Sequence, residues 1–299
     1  MMAERMHFTG QIWRPPYEAS SLLLQVTTGC THANCRFCSL YYGTRFRMSP
    51  LSEIIEDLLI ANTYQPHARR VFLTGGNPFV LSFDKLVKLA ETIKEYLPEV
   101  QNIGSFARIT DMKTKTVEQL KTLRSLGYNR ISIGTETGDD ITLREMNKGN
   151  TAQDILNECR KLDEAGIEYN FTYLTGLAGK GNGQRNALES AKIFSQLHPF
   201  IITVVSLTVF PESQLYRDIQ DGTYTEATEI ERLEELKTLL QNLQPENEVT
   251  ISANTVSNPI PLSGILPRHR EVLIRELETS IQKMPEANLR KYREEIISL

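Results

Sequence analysis

The chain has 299 residues, of which 40% are hydrophobic and 23% charged, a balance typical of a folded protein and not of a disordered one. Its formal net charge of −4 excludes the global positive field with which many proteins hold nucleic-acid backbones. The sequence contains no run of 18 apolar residues, and residues 1–20 lack the apolar stretch of a signal peptide. We therefore expect a cytoplasmic protein with no membrane association.

Short apolar segments rich in β-branched and aromatic residues alternate with segments of helical periodicity. The predicted strands are 22–27, 70–73, 102–107, 130–134, 168–174 and 200–210. The predicted helices are 50–62, 83–97, 116–126, 151–165, 184–197, 213–220 and 226–243, with Gly127 and Gly166 at positions typical of helix C-caps. Strand and helix alternating six times predict parallel strands with right-handed crossovers, and hence an α/β fold of the partial (β/α)6, TIM-like barrel type.

The composition also predicts a division of the chain into three parts. Residues 1–21 form an N-terminal arm, 22–243 the (β/α)6 core, and 244–299 a C-terminal extension of helix and loop that packs on the barrel. The stretch 248–267 is rich in Asn, Ser and Pro and is predicted to be a long loop before a final helix. Such a loop can serve as a lid or simply wrap the surface, and both readings stay open.

Three of the four cysteines lie within nine residues, directly after the first predicted strand. Cys30, Cys35 and Cys38 are spaced Cys-x4-Cys-x2-Cys, whereas Cys159 lies in a predicted helix and is expected to be a core residue. A zinc site would need His32 as a fourth ligand, a dithiol pair would leave Cys30 unexplained, and a disulfide is disfavoured in a reducing compartment. Three thiolates suit a 4Fe-4S cluster with one open iron, because each thiolate binds one iron.

The loop resembles the cluster loop of the radical S-adenosylmethionine (radical SAM) superfamily, in which an aromatic residue such as Phe37 precedes the last cysteine. The common spacing there is Cys-x3-Cys-x2-Cys, so this loop is a variant with one extra residue. The resemblance is greatest to the branch that is like oxygen-independent coproporphyrinogen oxidase and elongator proteins. It implies that Cys30, Cys35 and Cys38 bind a 4Fe-4S cluster, that its open iron binds S-adenosylmethionine, and that Phe37 lies beside this cofactor.

The second predicted strand ends in Thr74, Gly75, Gly76 and Asn77, a string similar to the Gly-Gly segments of the family. In the family this segment binds the amino group of the methionine moiety, and glycines let the backbone come close to a ligand. The resemblance therefore implies that these four residues bind the cofactor. A plain strand-to-helix turn would also explain them.

The fourth and fifth predicted strands end in further segments that resemble the family. Glu136 stands where the family has a residue that contacts the ribose, and Lys148, twelve positions later, where a basic residue pairs with the methionine carboxylate. Thr172 holds the position of an aspartate that helps to place the cofactor. The chemistry of each side chain suits its role. The alternative is that Glu136 and Lys148 are ordinary solvent-exposed residues that do not bind the cofactor.

The resemblance implies an enzyme that reductively cleaves S-adenosylmethionine to methionine and a 5′-deoxyadenosyl radical, which abstracts hydrogen from a small-molecule substrate. Arg108, after the third predicted strand, is the candidate for binding an anionic group, with an ion pair to Asp111 as the alternative. Tyr41 and Tyr42 follow the cluster loop and could line the pocket. The implied partner is a one-electron donor of the flavodoxin or ferredoxin type. An iron-sulfur sensor without turnover, a zinc protein and an enzyme acting on RNA remain alternatives.

Overall fold

The computed structural model describes residues 5–296, which form ten strands and ten α-helices. The strands are β1 (Leu22–Gln25), β2 (Thr27–Thr28), β3 (Arg47–Met48), β4 (Arg70–Thr74), β5 (Asn102–Ala107), β6 (Tyr128–Glu136), β7 (Tyr169–Thr175), β8 (Ile201–Ser206), β9 (Val249–Ser252) and β10 (Ser263–Leu266). The helices are α1 (Leu51–Tyr64), α2 (Phe83–Tyr96), α3 (Val117–Ser125), α4 (Asp140–Glu145), α5 (Ala152–Ala165), α6 (Gly183–Phe194), α7 (Gln214–Gln220), α8 (Glu229–Asn242), α9 (Arg270–Lys283) and α10 (Glu286–Glu294). No helix in this range is long and apolar enough to cross a membrane.

Eight strands form one sheet in the order β1-β4-β5-β6-β7-β8-β9-β10. The pairs β1-β4, β4-β5, β5-β6, β7-β8 and β8-β9 are parallel, and β10 pairs antiparallel with β9. The short strands β2 and β3 form a separate antiparallel pair. Parallel strands with intervening helices confirm the predicted α/β class.

Contacts between residues divide the chain into two compact units. Unit 1 comprises the residues up to Ala33, Leu40–Ile133 and Arg160–Tyr169. Unit 2 comprises Asn34–Ser39, Gly134–Cys159 and the residues from Asn170 onward. The predicted boundaries at residues 21 and 243 stay a prediction.

Helix α2 shows how the helical periodicity of unit 1 becomes packing. Leu86, Leu89 and Ile93 recur at helical spacing and are buried, whereas Lys85 and Lys88 on the opposite face are exposed. Burying each of these three side chains stabilises the fold by about 1.5–3 kcal/mol. The helix was predicted over 83–97 and is observed over Phe83–Tyr96, so the periodic pattern located it correctly.

The C-terminal part of unit 2 differs from the prediction. The stretch 248–267 is not one loop, because β9 and β10 within it extend the sheet beyond β8. Val249 and Ile251 are buried and alternate with more exposed neighbours, as in a strand with one covered face. The final helix is also divided: Pro285 separates α9 from α10 and begins the second helix.

An arginine on α10 ties this segment to the end of β8. The Arg293 guanidinium donates to Ser206 Oγ (2.7 Å), to Glu229 Oε2 on α8 (2.8 Å) and to the main-chain oxygen of Ser257 (3.1 Å). The Asn258 amide donates to a main-chain carbonyl of β8 (2.8 Å). Arg293 and Glu229 are both buried, so their charges depend on each other.

Candidate functional site

The loop that bears the clustered cysteines has a fixed base in unit 1. β2 and β3 close it, with Thr28 opposite Arg47. Gly29 follows with φ +79°, and a Cβ atom on it would lie 2.9 Å from the main-chain oxygen of Thr44. Only glycine fits this close approach in the left-handed region, so Cys30 leaves the base in a defined direction.

The cysteines of the loop differ from the fourth cysteine in exposure. Cys30 and Cys35 are half-buried and Cys38 is exposed, whereas Cys159 is fully buried, as expected of a core residue. None of the four, all within the described residues, forms a disulfide. No group of three or more His, Cys, Asp or Glu in residues 5–296 is placed to hold a single metal ion. The loop thus offers three thiols within one short segment, and thiolates are the ligands that iron–sulfur clusters take.

Unit 2 holds the second half of the loop through Arg36. Its main-chain N–H donates to the oxygen of Met146 (3.1 Å), and its main-chain oxygen accepts from Leu215 N–H (2.7 Å). The guanidinium pairs with the buried carboxylate of Asp218 (2.6 Å). This segment is therefore held by the end of α4 and by α7, which limits how far the last two cysteines can move.

Phe37, predicted to lie beside the cofactor, points into an apolar cluster of unit 2. The ring is half-buried and packs against a cluster that comes from the ends of α4, β7 and β8 and from α7. Its buried members are Met146, Leu174, Leu177, Leu207 and Leu215. This surface is apolar and could accept one face of a heteroaromatic ring.

The Gly-Gly turn after β4 lies against the base of the loop. Gly75 has φ +101° and Gly76 φ +98°, and a Cβ on either would lie 1.7 Å from a main-chain oxygen, that of Thr27 and of Gly29 respectively. The Gly76 N–H donates to the Tyr41 hydroxyl (2.8 Å). Both glycines are thus required by the approach of two backbone segments, which an isolated turn would not explain.

Thr74 and Asn77, predicted to bind the cofactor, have protein partners for their side chains. The Thr74 hydroxyl donates to the main-chain oxygen of Trp13 (2.8 Å). The buried Asn77 amide accepts from Thr31 N–H (3.0 Å) and donates to the Asp111 carboxylate (2.9 Å). Asn77 therefore links the residue after Cys30 to the segment that follows β5.

Arg108, Asp111 and a buried lysine meet after β5. The main-chain N–H of Arg108 donates to Asp111 Oδ2 (2.8 Å), and the Arg108 side chain is half-buried. Burial raises the pKa of Asp111, and the hydrogen bonds from Arg108 and Asn77 oppose this rise. Lys115 donates to the main-chain oxygens of Phe79 (2.8 Å) and Asp111 (3.0 Å), and burial lowers its pKa to about 8. Lys115 was not predicted from the sequence.

Glu136 and Lys148 form an ion pair in unit 2, with 3.4 Å between Lys148 Nζ and Glu136 Oε1. Only 6% of the lysine side chain and 13% of the glutamate side chain are exposed. Burial raises the pKa of Glu136, and the charge of Lys148 opposes this rise. Glu136 also has φ +65°, a strained backbone for a residue with a side chain.

Gly134 makes room for this pair and was missed in the sequence. A Cβ at Gly134 would lie 2.7 Å from Glu136 Oε1 and 3.5 Å from Lys148 Nζ. The glutamate side chain occupies the space that any larger residue would fill. The only sequence signal for this role of Gly134 was the Gly-x-Glu string itself. That string does not reveal that the Glu136 side chain lies over Gly134.

Thr172 lies on β7 with its side chain half-buried and its main-chain oxygen bound by the Thr135 hydroxyl (2.7 Å). Its neighbours Phe171 and Tyr173 contact the Phe194 ring of α6, at 4.8 and 6.2 Å between ring centroids. Because side chains alternate along a strand, Thr172 lies on the face of β7 opposite to α6. The role predicted for it stays a prediction.

A buried glutamate on α8, also missed, supports the turn after β7. Glu235 accepts from Gly176 N–H (2.8 Å), the Tyr173 hydroxyl (2.8 Å) and the Asn186 amide (2.7 Å). Burial raises the pKa of Glu235 to about 7, although the three hydrogen bonds oppose the rise. The sequence signal was an acidic residue on the apolar face of an amphipathic helix.

The chain is similar in sequence to several known proteins. The chain is 28% identical over 202 residues to the heme chaperone HemW of Bacillus subtilis (strain 168), a match that covers 64% of this chain and 52% of that protein. It is 26% identical over 196 residues to the anaerobic magnesium-protoporphyrin IX monomethyl ester cyclase of Cereibacter sphaeroides. That match covers 64% of this chain and 31% of the cyclase. The chain thus spans about half or less of the length of these relatives.

Among solved structures, coproporphyrinogen III oxidase (HemN) from Escherichia coli superimposes with a TM-score of 0.54 at 18% identity, covering 74% of this chain and 50% of that one. That likeness concerns the fold. The sequence profile described as the Radical SAM superfamily matches residues 24–191, which is more than half of the chain. The chain therefore belongs to the radical SAM superfamily, whose members are enzymes with a TIM-like fold.

Proposed function

We propose that Cys30, Cys35 and Cys38 hold a 4Fe-4S cluster, and that the enzyme uses it with S-adenosylmethionine to abstract hydrogen from a small molecule. The observation that carries the proposal is the cysteine loop: three accessible thiols on a base closed by β2 and β3. When bound, the cluster and S-adenosylmethionine supply one-electron cleavage of a C–S bond, which yields methionine and a 5′-deoxyadenosyl radical.

Glu136 and Lys148 are proposed to bind the two polar ends of S-adenosylmethionine. A carboxylate accepts hydrogen bonds from both ribose hydroxyls, and an ammonium group attracts the methionine carboxylate. The burial of both groups supports this role, because charges act more strongly where water is excluded. Their mutual ion pair keeps both buried charges compensated before the ligand arrives.

The Gly-Gly turn is proposed to contact the methionine moiety through its backbone. The side chains of Thr74 and Asn77 already have protein partners, so their part is to hold the turn. Phe37 and the apolar cluster beneath it would flank the adenine, and Thr172 would help to place the cofactor from β7. Tyr41, bonded to Gly76, is proposed to line the substrate pocket.

The substrate class that we propose is a small molecule with a carboxylate or phosphate group, which Arg108 would bind with its guanidinium. Both curated relatives described above have names that refer to tetrapyrroles, so tetrapyrrole carboxylates are the first compounds to test. A one-electron donor of the flavodoxin or ferredoxin type and a cytoplasmic location complete the proposal. An iron-sulfur sensor without turnover and an enzyme acting on RNA are its competitors.

The experiment is anaerobic reconstitution followed by incubation with S-adenosylmethionine and dithionite. We expect about four iron and four sulfide per chain, and 5′-deoxyadenosine detected by mass spectrometry. Cys30→Ala should lose both the cluster and the product. Cys159→Ala is the matched control, because it removes a buried thiol outside the loop and should retain both.

The outcomes separate the competing functions. A full cluster without 5′-deoxyadenosine would contradict the enzymatic proposal and leave the sensor. A colourless protein with one zinc per chain would overturn the cluster itself.

A further inference from the structure

We infer that the exposed face formed by Tyr42, Arg45 and Arg47 is the docking surface for an acidic protein that carries one electron to the cluster. This inference rests on the proposed function and names the site at which its electron donor binds. The three residues belong to unit 1 and follow the last cysteine of the loop. Tyr42 is 65% exposed, and both arginines are exposed.

The segment around the cysteine loop is positively charged, whereas the chain as a whole has a net negative charge. Residues 30–52 include three arginines and no Asp or Glu, so the rest of the chain carries 30 basic and 37 acidic residues. Arg36, the first of the three, is neutralised by Asp218. Neither Arg45 nor Arg47 forms an ion pair with a carboxylate among residues 5–296. Two uncompensated guanidinium groups therefore remain for a partner.

The fold places these arginines beside the start of the loop. Arg47 pairs with Thr28 in the β2-β3 ladder, one residue before Gly29. The main-chain oxygen of Arg45 would lie 3.1 Å from a Cβ on Gly29, which immediately precedes Cys30. A protein bound to this face would thus lie next to the backbone that holds the first cluster ligand.

The size and composition of the face favour a protein partner over nucleic acid. Electron-transfer encounters use small interfaces, and tyrosine with arginine is the composition typical of interface hot spots. Stable binding to a phosphate backbone takes several basic contacts, whereas the face defined here presents two uncompensated arginines on a chain with a net charge of −4. In the transfer itself the carrier loses one electron and the cluster gains it, and no atoms are exchanged.

The test uses recombinant bacterial flavodoxin as the probe, with two readouts. The first is equilibrium binding of flavodoxin to the chain with and without the cluster, and the second is the rate at which reduced flavodoxin reduces the cluster. The test variant is Arg45→Glu/Arg47→Glu. The matched control is Lys85→Glu/Lys88→Glu on α2, which changes the net charge equally at two exposed positions outside the loop.

At low salt we expect the test variant to lose about tenfold or more in both affinity and second-order rate, and the control to change little. The difference should vanish near 1 M salt, where exposed charges are screened. Flavodoxin binding that is equal in test variant and control would overturn the inference. So would a variant that loses binding to a polyuridine RNA but not to flavodoxin, because the face would then be a nucleic-acid surface.

Dithionite separates this inference from the proposed function. With dithionite as the reductant, the test variant should form 5′-deoxyadenosine at the wild-type rate, because no protein donor is needed. If wild-type protein forms none, the proposed function fails, whatever the binding data show. If dithionite works and the flavodoxin readouts do not depend on Arg45 and Arg47, the docking surface alone is wrong.

Discussion

Replacing Gly134 with alanine tests whether the Glu136–Lys148 pair belongs to the cofactor site. The new Cβ would lie 2.7 Å from Glu136 Oε1, and an ordinary contact begins at 3.4 Å. The carboxylate must therefore retreat by about 0.7 Å, taking the difference of these two distances. The salt bridge is already 3.4 Å long, so this movement removes the carboxylate from its present position.

The expected effect is on binding and not on folding. A lost hydrogen bond to a charged group costs about 1.5–3 kcal/mol, so the affinity for S-adenosylmethionine should fall about 10- to 150-fold. The atom that must move is the far end of a flexible side chain, so the thermal midpoint should change by only a few degrees. Calorimetric titration of the reconstituted protein without oxygen measures the affinity.

Gly264→Ala is the matched control for this substitution. Gly264 also lies in a strand of unit 2, and the nearest atoms to its added methyl would be side-chain atoms of Leu273 and His269. Its affinity for S-adenosylmethionine should equal that of the wild type. If Gly134→Ala also binds within twofold of the wild type, Glu136 and Lys148 do not bind the cofactor. In a Glu136→Gln background, Gly134→Ala should cause little further loss of affinity for S-adenosylmethionine, because the effects of neighbouring substitutions are not additive.

Three further predictions concern other parts of the protein. His32→Ala should retain the full iron content of the reconstituted protein, because three cysteines suffice; loss of iron would contradict the three-ligand cluster. Asn77→Ala should lower the free energy of unfolding in urea by about 1–3 kcal/mol, since the buried Asp111 carboxylate loses a hydrogen-bond donor, whereas the N–H of the exposed Thr31 can bind water instead. A change below about 0.5 kcal/mol would show that this link is dispensable. The raised pKa of Glu235 means that the folded state holds a proton that the unfolded state releases between pH 4.5 and about 7, so stability should fall as the pH rises through that window. The fall should be on the order of 3 kcal/mol and should disappear in Glu235→Gln, and a slope that persists in this variant would assign it to other groups.

Local patterns were sufficient to locate most of the core elements, and insufficient for elements that depend on their neighbours. The helices at 83–97 and 151–165 were predicted within two residues of α2 and α5, because 14 residues contain several turns of the apolar period. β9 has four residues, too few to establish alternation, and it becomes a strand because its edge pairs with β8. α4, with six residues, was missed for the same reason of length.

The sequence predicted which residues belong to the candidate site, but it did not predict which of them contact each other. Glu136 and Lys148 were selected by their spacing, but a spacing of twelve does not state that they touch each other. Asp111 was considered as a partner of Arg108, its sequence neighbour. Its contact with Asn77, 34 residues earlier, arises because β4 and β5 lie side by side in the sheet. Such contacts follow from topology and are invisible to local patterns.

The buried pair of Arg293 and Glu229 has a consequence for how the protein is made. Glu229 on α8 is synthesised long before α10, and until then its carboxylate has Arg232 of the same helix, at 3.9 Å, but lacks the closer guanidinium of Arg293 at 2.8 Å. An uncompensated buried charge costs about 3–5 kcal/mol. The last ion pair of Glu229 therefore forms only after residue 293 has been synthesised, so we expect this part of unit 2 to gain its full stability late in translation.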